Sequence, residues 1–556
     1  MALSFKRVNE ILRLNTHLDE YLKQWISRGF NQPIFIEKPT DEMISEKIIN
    51  VIYPIGDPLF VHVYSTNDAH GYKKYIIIEP PRPKPEIYNL IELKLAEYIS
   101  ENDTSETAEE KSRTLLKYLD KICTISNNSI DYSKVSEKSK KIPLSQRDYE
   151  LVKYYLIRDK VGVGFIEPFL KDPYLEDITC PGVGYMYVVH KIFGPLQTNI
   201  KFDSEEELSE FILKLSEQIG KPVSHAKPVI DATLPDGSRI NIVYGKDISK
   251  KGSNFTIRKF SRVPVSVTQL IKWGTLDARL AAYLWIMLNE GMSLFVCGET
   301  ASGKTTTLNA IASFIKPTAK IISIEDTPEV TLPHGNWVSE ITRDTRSEDT
   351  SVTMFDLLKA ALRQRPNYII VGEIRGREGN IAFQAMQTGH PVLSTFHAGS
   401  VETLIQRLTN YPIEVPKSHI NNLNIVLIQS AVYDKGGILK RRVLSVNEII
   451  GYDSKRASMI YVPVFTWDPI SDKILFRGLG SSYLLEEKIA IMKGISRRDI
   501  KRLYDEIELR ARFLNLLVEK KIFNYFDVYN IISKTYSLSI ENIIEEIDEI
   551  IKATIK

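Results

Sequence analysis

Gly298-Glu299-Thr300-Ala301-Ser302-Gly303-Lys304-Thr305 decides how the rest of this chain is read. The spacing is G-x-x-x-x-G-K-[ST], that of a phosphate-binding loop. The apolar run Leu294 to Cys297 precedes it and predicts a buried strand. Thr306 to Phe314 follows, with Leu308, Ile311 and Phe314 at helical spacing. The two glycines therefore fall at a strand-to-helix turn, the context the motif requires. Gly298 and Gly303 let the backbone curl so that successive N–H groups face inward, and the helix N-terminus adds partial positive charge. Gly298 to Thr306 is the expected cradle for ATP. Lys304 is expected to reach the β- and γ-phosphates, and the Thr305 hydroxyl to ligate Mg2+.

At 556 residues the chain has room for two to four domains. Its 72 Lys and Arg nearly balance 70 Asp and Glu, and a net charge of +2 lacks the electrostatic footprint of a nucleic-acid binder. Cys123, Cys180 and Cys297 are far apart, which argues against a disulfide framework or a zinc site and suits a reducing compartment. The N-terminus has no signal-peptide core, and the most apolar stretch, Ala281 to Cys297, is interrupted by Asn289-Glu290-Gly291 and too short to span a bilayer. A cytoplasmic protein is expected, able to dock on the inner face of the cell membrane through a partner.

Working outward, residues 1–100 are expected to form an N-terminal α/β module with a helical arm over residues 1–30 and turns at Gly56-Asp57-Pro58 and His70-Gly71. Residues 101–147, rich in Ser, Glu, Lys, Asp and Asn, read as a charged connector with a short helix near Leu115 to Ile122. A second domain is expected over 148–262, with strands at Tyr185 to His190, Arg239 to Tyr244 and Asn254 to Phe260. A hinge is placed at 263–268, around Pro264, and the phosphate-loop domain at 269–556. That last domain alternates apolar strands with helical patterns, as an open, largely parallel α/β sheet requires, and ends in a helical part with a capping-box-like start at Ser496.

Phosphoryl transfer needs a metal ion, a group to position water and positive charge for the transition state. Glu373 ends the apolar strand Tyr368 to Val371 and is the candidate for positioning water; its alternative is an ion pair with Arg375. Glu325, Asp326 and Glu329 cluster at a neighbouring strand end. His390 and His397 flank a fourth strand, and His397 at its C-terminal end is a candidate sensor of the γ-phosphate. Arg239, Arg258 and Arg262 before the hinge, and Arg343, Arg363 and Arg365 after it, are candidate sources of charge.

Phe165–Ile178 (FIEPFLKDPYLEDI), Leu234–Asn241 (LPDGSRIN), the loop GETASGKTTTLNA, the acidic box IISIEDTPEV, Val371–Arg375 (VGEIR) and TGHPVLSTFHA occur in one order. Together they resemble the type II/IV secretion ATPase superfamily over roughly residues 150 to 450, with archaeal members, above all the archaellum motor ATPase, the most similar. The resemblance implies a homohexamer of two-domain subunits. Each would carry a RecA-like C-terminal domain, with nucleotide held between the two domains. It implies Glu373 as the Walker B glutamate, Glu325 as the acidic-box glutamate, His397 as the His-box residue, and Arg239 and Arg258 as arginine contacts from the N-terminal domain. Gly376 departs from the Asp that many members carry there, which affects one salt bridge. The tetracysteine module of many bacterial members is absent, so no structural zinc is expected. The implied function is a motor driving assembly or rotation of an archaeal surface filament through a polytopic membrane platform protein, alongside accessory motor proteins. The alternatives are an ATPase of an adhesive type IV pilus or of secretion, a RecA-like nucleic-acid translocase, and a non-catalytic nucleotide-binding scaffold. The near-neutral charge and the full set Lys304, Thr305 and Glu373 argue against the last two.

Overall fold

The computed structural model describes residues 3–40, 43, 48–66, 73–98, 107–126, 130, 132, 141–259, 263–343, 351–434, 439–453 and 458–554. The chain divides into two compact units, Met1–Ser261 and Arg262–Lys556. The turn expected at His70-Gly71, the strand end at Phe260 and Arg262 lie outside the described residues.

The N-terminal unit contains strands β1 (Ile34–Phe35), β2 (Asn50–Gly56), β3 (Leu59–Tyr64), β4 (Lys73–Ile78), β5 (Cys123–Ile125), β6 (Ile142–Leu144), β7 (Leu175–Cys180), β8 (Gly184–His190), β9 (Gly194–Phe202), β10 (Val229–Thr233), β11 (Arg239–Val243) and β12 (Asn254–Arg258). Ten of them form one sheet in the order β1-β2-β3-β4-β9-β8-β7-β12-β11-β10. Alternating residues of β2 and β3 meet in antiparallel register, Val51 opposite Val63 and Tyr53 opposite Val61. β4 then pairs in parallel with β9, Tyr75 opposite Thr198. The expected modules 1–100 and 148–262 thus share a single sheet and a single core, in which Tyr53, Tyr75, Phe169, Ile178 and Phe255 are all buried.

Two further expectations change. The arm over residues 1–30 is two helices, Phe5–Leu14 and Thr16–Ser27, broken at Asn15, whose side chain turns back to the Ile11 carbonyl at 3.1 Å. Within the expected connector, Thr107 caps the helix Ala108–Ile122 with a complete capping box, and Leu119 and Ile122 bury against Ile87, Ile91 and Leu95. Its charged residues mask an apolar stripe at helical spacing.

The C-terminal unit carries β13 (Leu294–Gly298), β14 (Ile321–Glu325), β15 (Trp337–Ile341), β16 (Tyr368–Glu373), β17 (Val392–Phe396), β18 (Ile425–Tyr433), β19 (Leu439–Asp453), β20 (Ser458–Asp468) and β21 (Lys473–Phe476). The sheet order is β15-β14-β16-β17-β13-β18-β19-β20-β21. The first six strands are parallel and the last three join antiparallel. β13, β14 and β17 are buried at every position, as parallel strands covered on both faces must be. Successive side chains of β13 divide between two cores: Leu294 and Val296 face one, Phe295 and Cys297 the other. This is the expected RecA-like α/β domain.

The helix Ala278–Asn289 is buried on all sides from Leu280 to Leu288, and so lies at the centre of its layer. Among the described residues no helix is long and apolar enough to cross a membrane. The C-terminal part is helical as expected, with Lys501–Glu519 packed on Ala278–Asn289 through the first of these cores. The start at Ser496 differs: its hydroxyl binds the Asp499 carboxylate at 2.7 Å, a 3-10 turn follows, and the α-helix begins at Lys501. Of the expected hinge 263–268, Ser266 to Thr268 already belong to a capped helix start. The Ser266 and Thr268 hydroxyls donate to the carbonyls of Phe523 and Ile522 at 2.8 and 2.7 Å, which fixes them to the helical extension.

Candidate nucleotide-binding and hydrolysis site

Parallel strands end together, and in open α/β sheets ligands bind outside those carboxyl ends. β13, β14, β16 and β17 deliver Gly298, Glu325, Glu373 and His397 to that edge. His390 precedes β17 and sits at the opposite edge, with its Nδ1 3.1 Å from the Thr388 hydroxyl. Arg363 and Arg365 precede β16 and lie on that far side too.

The phosphate loop runs from β13 into the helix Lys304–Ala312. Gly303 has φ +88°, a left-handed conformation that glycine adopts without strain. A Cβ on Gly298 would lie 2.2 Å from the Gln429 carbonyl oxygen, so the strand can approach its neighbour only with glycine there. The Glu299 carbonyl accepts hydrogen bonds from the Ser302 hydroxyl at 2.8 Å and the Lys304 ammonium at 2.9 Å. Lys304 is 8% exposed; Thr305 and Thr306 are half-buried in the first helical turn, while Glu299, Thr300 and Ala301 face solvent.

Glu325 is fully inside. Its Oε1 accepts from the backbone N–H groups of Glu329 and Val330, both at 2.9 Å, which folds the acidic-box loop around the carboxylate. Asn309, one turn into the loop's helix, clamps the same segment by donating to the Glu329 carbonyl at 2.8 Å and accepting from Thr331 N–H at 3.1 Å. Asp326 faces solvent and accepts from the Thr342 hydroxyl at 3.1 Å.

The β16–β17 register slips between Val371 and Glu373, leaving Gly372 as the extra residue of a bulge. The Thr395 hydroxyl donates to the Gly372 carbonyl at 2.6 Å, and a Cβ on Gly372 would press to 2.9 Å from Glu325 Cγ. The bulge re-aims Glu373, whose Oε1 lies 2.8 Å from His397 Nε2. Its other oxygen holds the Arg375 guanidinium, so the ion pair weighed from sequence is present as well. Burial holds the His397 pKa below its ordinary value of 6.5, with Glu373 opposing the shift and Lys304, Arg375 and Arg407 adding to it. His397 is therefore neutral at pH 7. Arg407 pins it by donating to its carbonyl, and stacks 5.3 Å over the Phe396 ring.

Within the N-terminal unit, β11 and β12 place Arg239 directly opposite Arg258. Like charges across a pair repel, and Asp177 on β7, opposite Arg258 on the other side, offsets this. Sequence reading singled out both arginines, and their pairing comes from strand register. It missed Gln429 and Arg441. Gln429 on β18 donates to the Ser302 carbonyl at 2.7 Å, and Arg441 on β19 donates to the Ala301 carbonyl at 3.1 Å. They stand 127 and 140 residues from their partners, beyond any local motif.

Residues 159–435 match the model of the type II/IV secretion system protein family. The uncharacterized protein MJ0900 of Methanocaldococcus jannaschii is 46% identical over 551 residues, spanning 98% of this chain and 99% of that one. The type IV secretion system protein PtlH of Bordetella pertussis is 33% identical over 33% of this chain and 61% of its own. The pilus retraction motor PilT, solved with ADP, aligns with 51% of this chain and 81% of its own at 21% identity and a TM-score of 0.36. With residues 159–435 matched by that family's model and the phosphate-loop, acidic, VGEIR and histidine motifs ending at one sheet edge, the chain belongs to the type II/IV secretion ATPase superfamily.

Proposed function

We propose that this protein is an ATP-hydrolysing motor that powers an archaeal type IV pilus-like surface filament. The observation that carries the catalytic reading is the 2.8 Å approach of Glu373 to His397 at the edge where the phosphate loop opens. Lys304 and the loop N–H groups would hold the β- and γ-phosphates. Glu373 would orient the attacking water and His397, neutral at pH 7, would meet the γ-phosphate. The donor set suits Mg2+, which keeps several waters and takes one or two protein oxygens beside those of the nucleotide. Thr305 would supply one, with Glu325 and Glu373 acting through water.

Arg239 and Arg258, opposite each other on β11 and β12, would add charge-assisted bonds to the phosphates from the N-terminal unit, so that hydrolysis and release part the two units. In a homohexamer each such displacement would also move a neighbour. A polytopic membrane platform protein at the inner face of the cell membrane would receive the motion. The archaellum is the filament that the resemblance of the sequence motifs favours, and the relative matched over the full length is archaeal. The test has two parts. Purified full-length protein should hydrolyse ATP, with turnover lost in Lys304→Ala and Glu373→Gln. Deleting the gene in the organism of origin should remove swimming filaments; loss of adhesion or of secretion with swimming intact would reassign the machine.

A further inference from the structure

Gln429 and Arg441 do more than pack beside the phosphate loop. Each grips a consecutive peptide plane from outside. In a trans peptide the C=O of one residue and the N–H of the next point in opposite directions. Arg441 Nε holds the Ala301 carbonyl, so the Ser302 N–H is turned away from Arg441. It is found 3.4 Å from the Glu299 carbonyl, across the loop. Gln429 Nε2 holds the Ser302 carbonyl, which turns the Gly303 N–H away from Gln429. Both grips converge on Gly303: a Cβ there would lie 3.1 Å from Arg441 Cδ and 3.1 Å from Gln429 Nε2.

The grips are themselves fixed. Gln429 is 1% exposed and pairs with Gly298 along β18. Arg441 is exposed, but its backbone is pinned by the next residue. Arg442 donates to the Arg441 and Trp273 carbonyls, both at 3.0 Å, while its other donors make a two-pronged pair with Asp472 at 2.7 and 2.8 Å. Among the described residues no carboxylate pairs with Arg441, so its bond to the loop carbonyl is its ordered polar contact.

We infer that Gln429 and Arg441 are positioning residues for the nucleotide's phosphates: they fix the peptide planes on either side of Ser302, so that the loop backbone is ordered before the phosphate arrives. The inference rests on the nucleotide-binding reading of this loop. A glycine-rich loop without these grips can rotate its peptide planes, and binding must then supply the ordering.

The test is calorimetric binding of Mg-ADP and of Mg-pyrophosphate to the full-length parent, Lys304→Ala, Arg441→Met, Arg441→Lys and Gln429→Met. Expected is about tenfold weaker binding of both ligands in each Arg441 and Gln429 variant, one hydrogen bond's worth. The KM for ATP should rise by a similar factor with kcat within about twofold. Arg441→Lys should fail to restore binding, because the Nε donor is gone although the charge remains. A parent that binds no ADP, or a Lys304→Ala that binds as the parent does, overturns the nucleotide-site reading and this inference with it. If the parent binds and both Met variants bind equally well, this inference alone falls. It also falls if ADP weakens while pyrophosphate does not, since Arg441 would then touch ribose or base, or if Arg441→Lys restores affinity. Arg441 is exposed, so its variants keep the test open should Gln429→Met misfold.

Discussion

Each unit of the chain brings a carboxylate, a histidine and a cation together at the end of a strand, and the two clusters are built differently. In the N-terminal unit Asp172 accepts from the Tyr53 and Tyr75 hydroxyls and from Tyr174 N–H, all at 2.8 Å, and Lys259 donates to its carbonyl. His190 accepts from Ile192 and Phe193 N–H at Nδ1 and meets the Tyr53 hydroxyl through Nε2. Every group there is spent on another, and Asp172 and His190 are sealed from water. At the sheet edge of the C-terminal unit, Glu373 and His397 side chains remain 20% and 34% exposed. A saturated polar cluster specifies a fold; one that is held together yet open on one side can act on something that arrives.

That contrast can be broken. The largest effect expected is on turnover. Lys304→Ala should lower ATP hydrolysis by about 10³-fold or more, and Glu373→Gln by about 10²–10⁴-fold, with both proteins folded. A steady-state assay with circular dichroism as the folding control checks this, and full activity in Glu373→Gln would move the water-positioning role to Glu325.

The next effect falls on the other unit and on stability. Burial pushes His190 and His62 down to about 3, against 6.5 for the unfolded side chain. The unfolded chain therefore takes up protons below pH 6.5 that the folded one refuses, so stability is full above 6.5 and falls toward pH 3. Between pH 6.5 and 5 the two histidines together should remove about 3 kcal/mol. Urea unfolding followed by a probe in the N-terminal unit measures it; a flat profile would mean that these histidines are hydrated in solution.

A smaller loss is expected for Asp172→Asn, about 1–3 kcal/mol, because an amide has one acceptor oxygen, so either the Tyr174 N–H or the Tyr53 and Tyr75 hydroxyls lose theirs. Turnover per folded molecule should stay at the parent level, and a collapse of kcat in folded protein would make this cluster chemical after all. The smallest expected effect is a non-effect. Since burial lowers the His397 pKa from 6.5, this histidine should put no midpoint on the kcat profile between pH 6.5 and 8, and a limb centred in that range that vanishes in His397→Asn would contradict its neutral state.

The cluster at the strand ends was legible in the sequence because each parallel strand is a short apolar run ending in one polar residue. Glu325, Glu373 and His397 follow Ile324, Gly372 and Phe396 directly, and the parallel topology does the rest. The supports were not legible. Gln429 and Arg441 are one polar residue each on long strands, and only the β13–β18 and β18–β19 pairings bring them to the loop. The same holds for β4 and β9. Alternation declares a strand without naming its neighbour, so two modules read as separate from sequence close into one sheet.

That shared sheet has a mechanical consequence. β12, which carries Arg258, and β2 are separated by β7, β8, β9, β4 and β3 in one hydrogen-bonded array. Six strand spacings make a beam of roughly 29 Å, and a tilt of about 10° at β12, carried rigidly, would sweep β2 through roughly 5 Å. Leu18, Leu22, Phe35 and Ile52 glue the N-terminal helices to the far part of that beam. Between the two ends lie the register shifts of β7–β8 and β8–β9 and the three-pair seam of β4 with β9, the places where an angular change beside Arg258 would be absorbed or passed on.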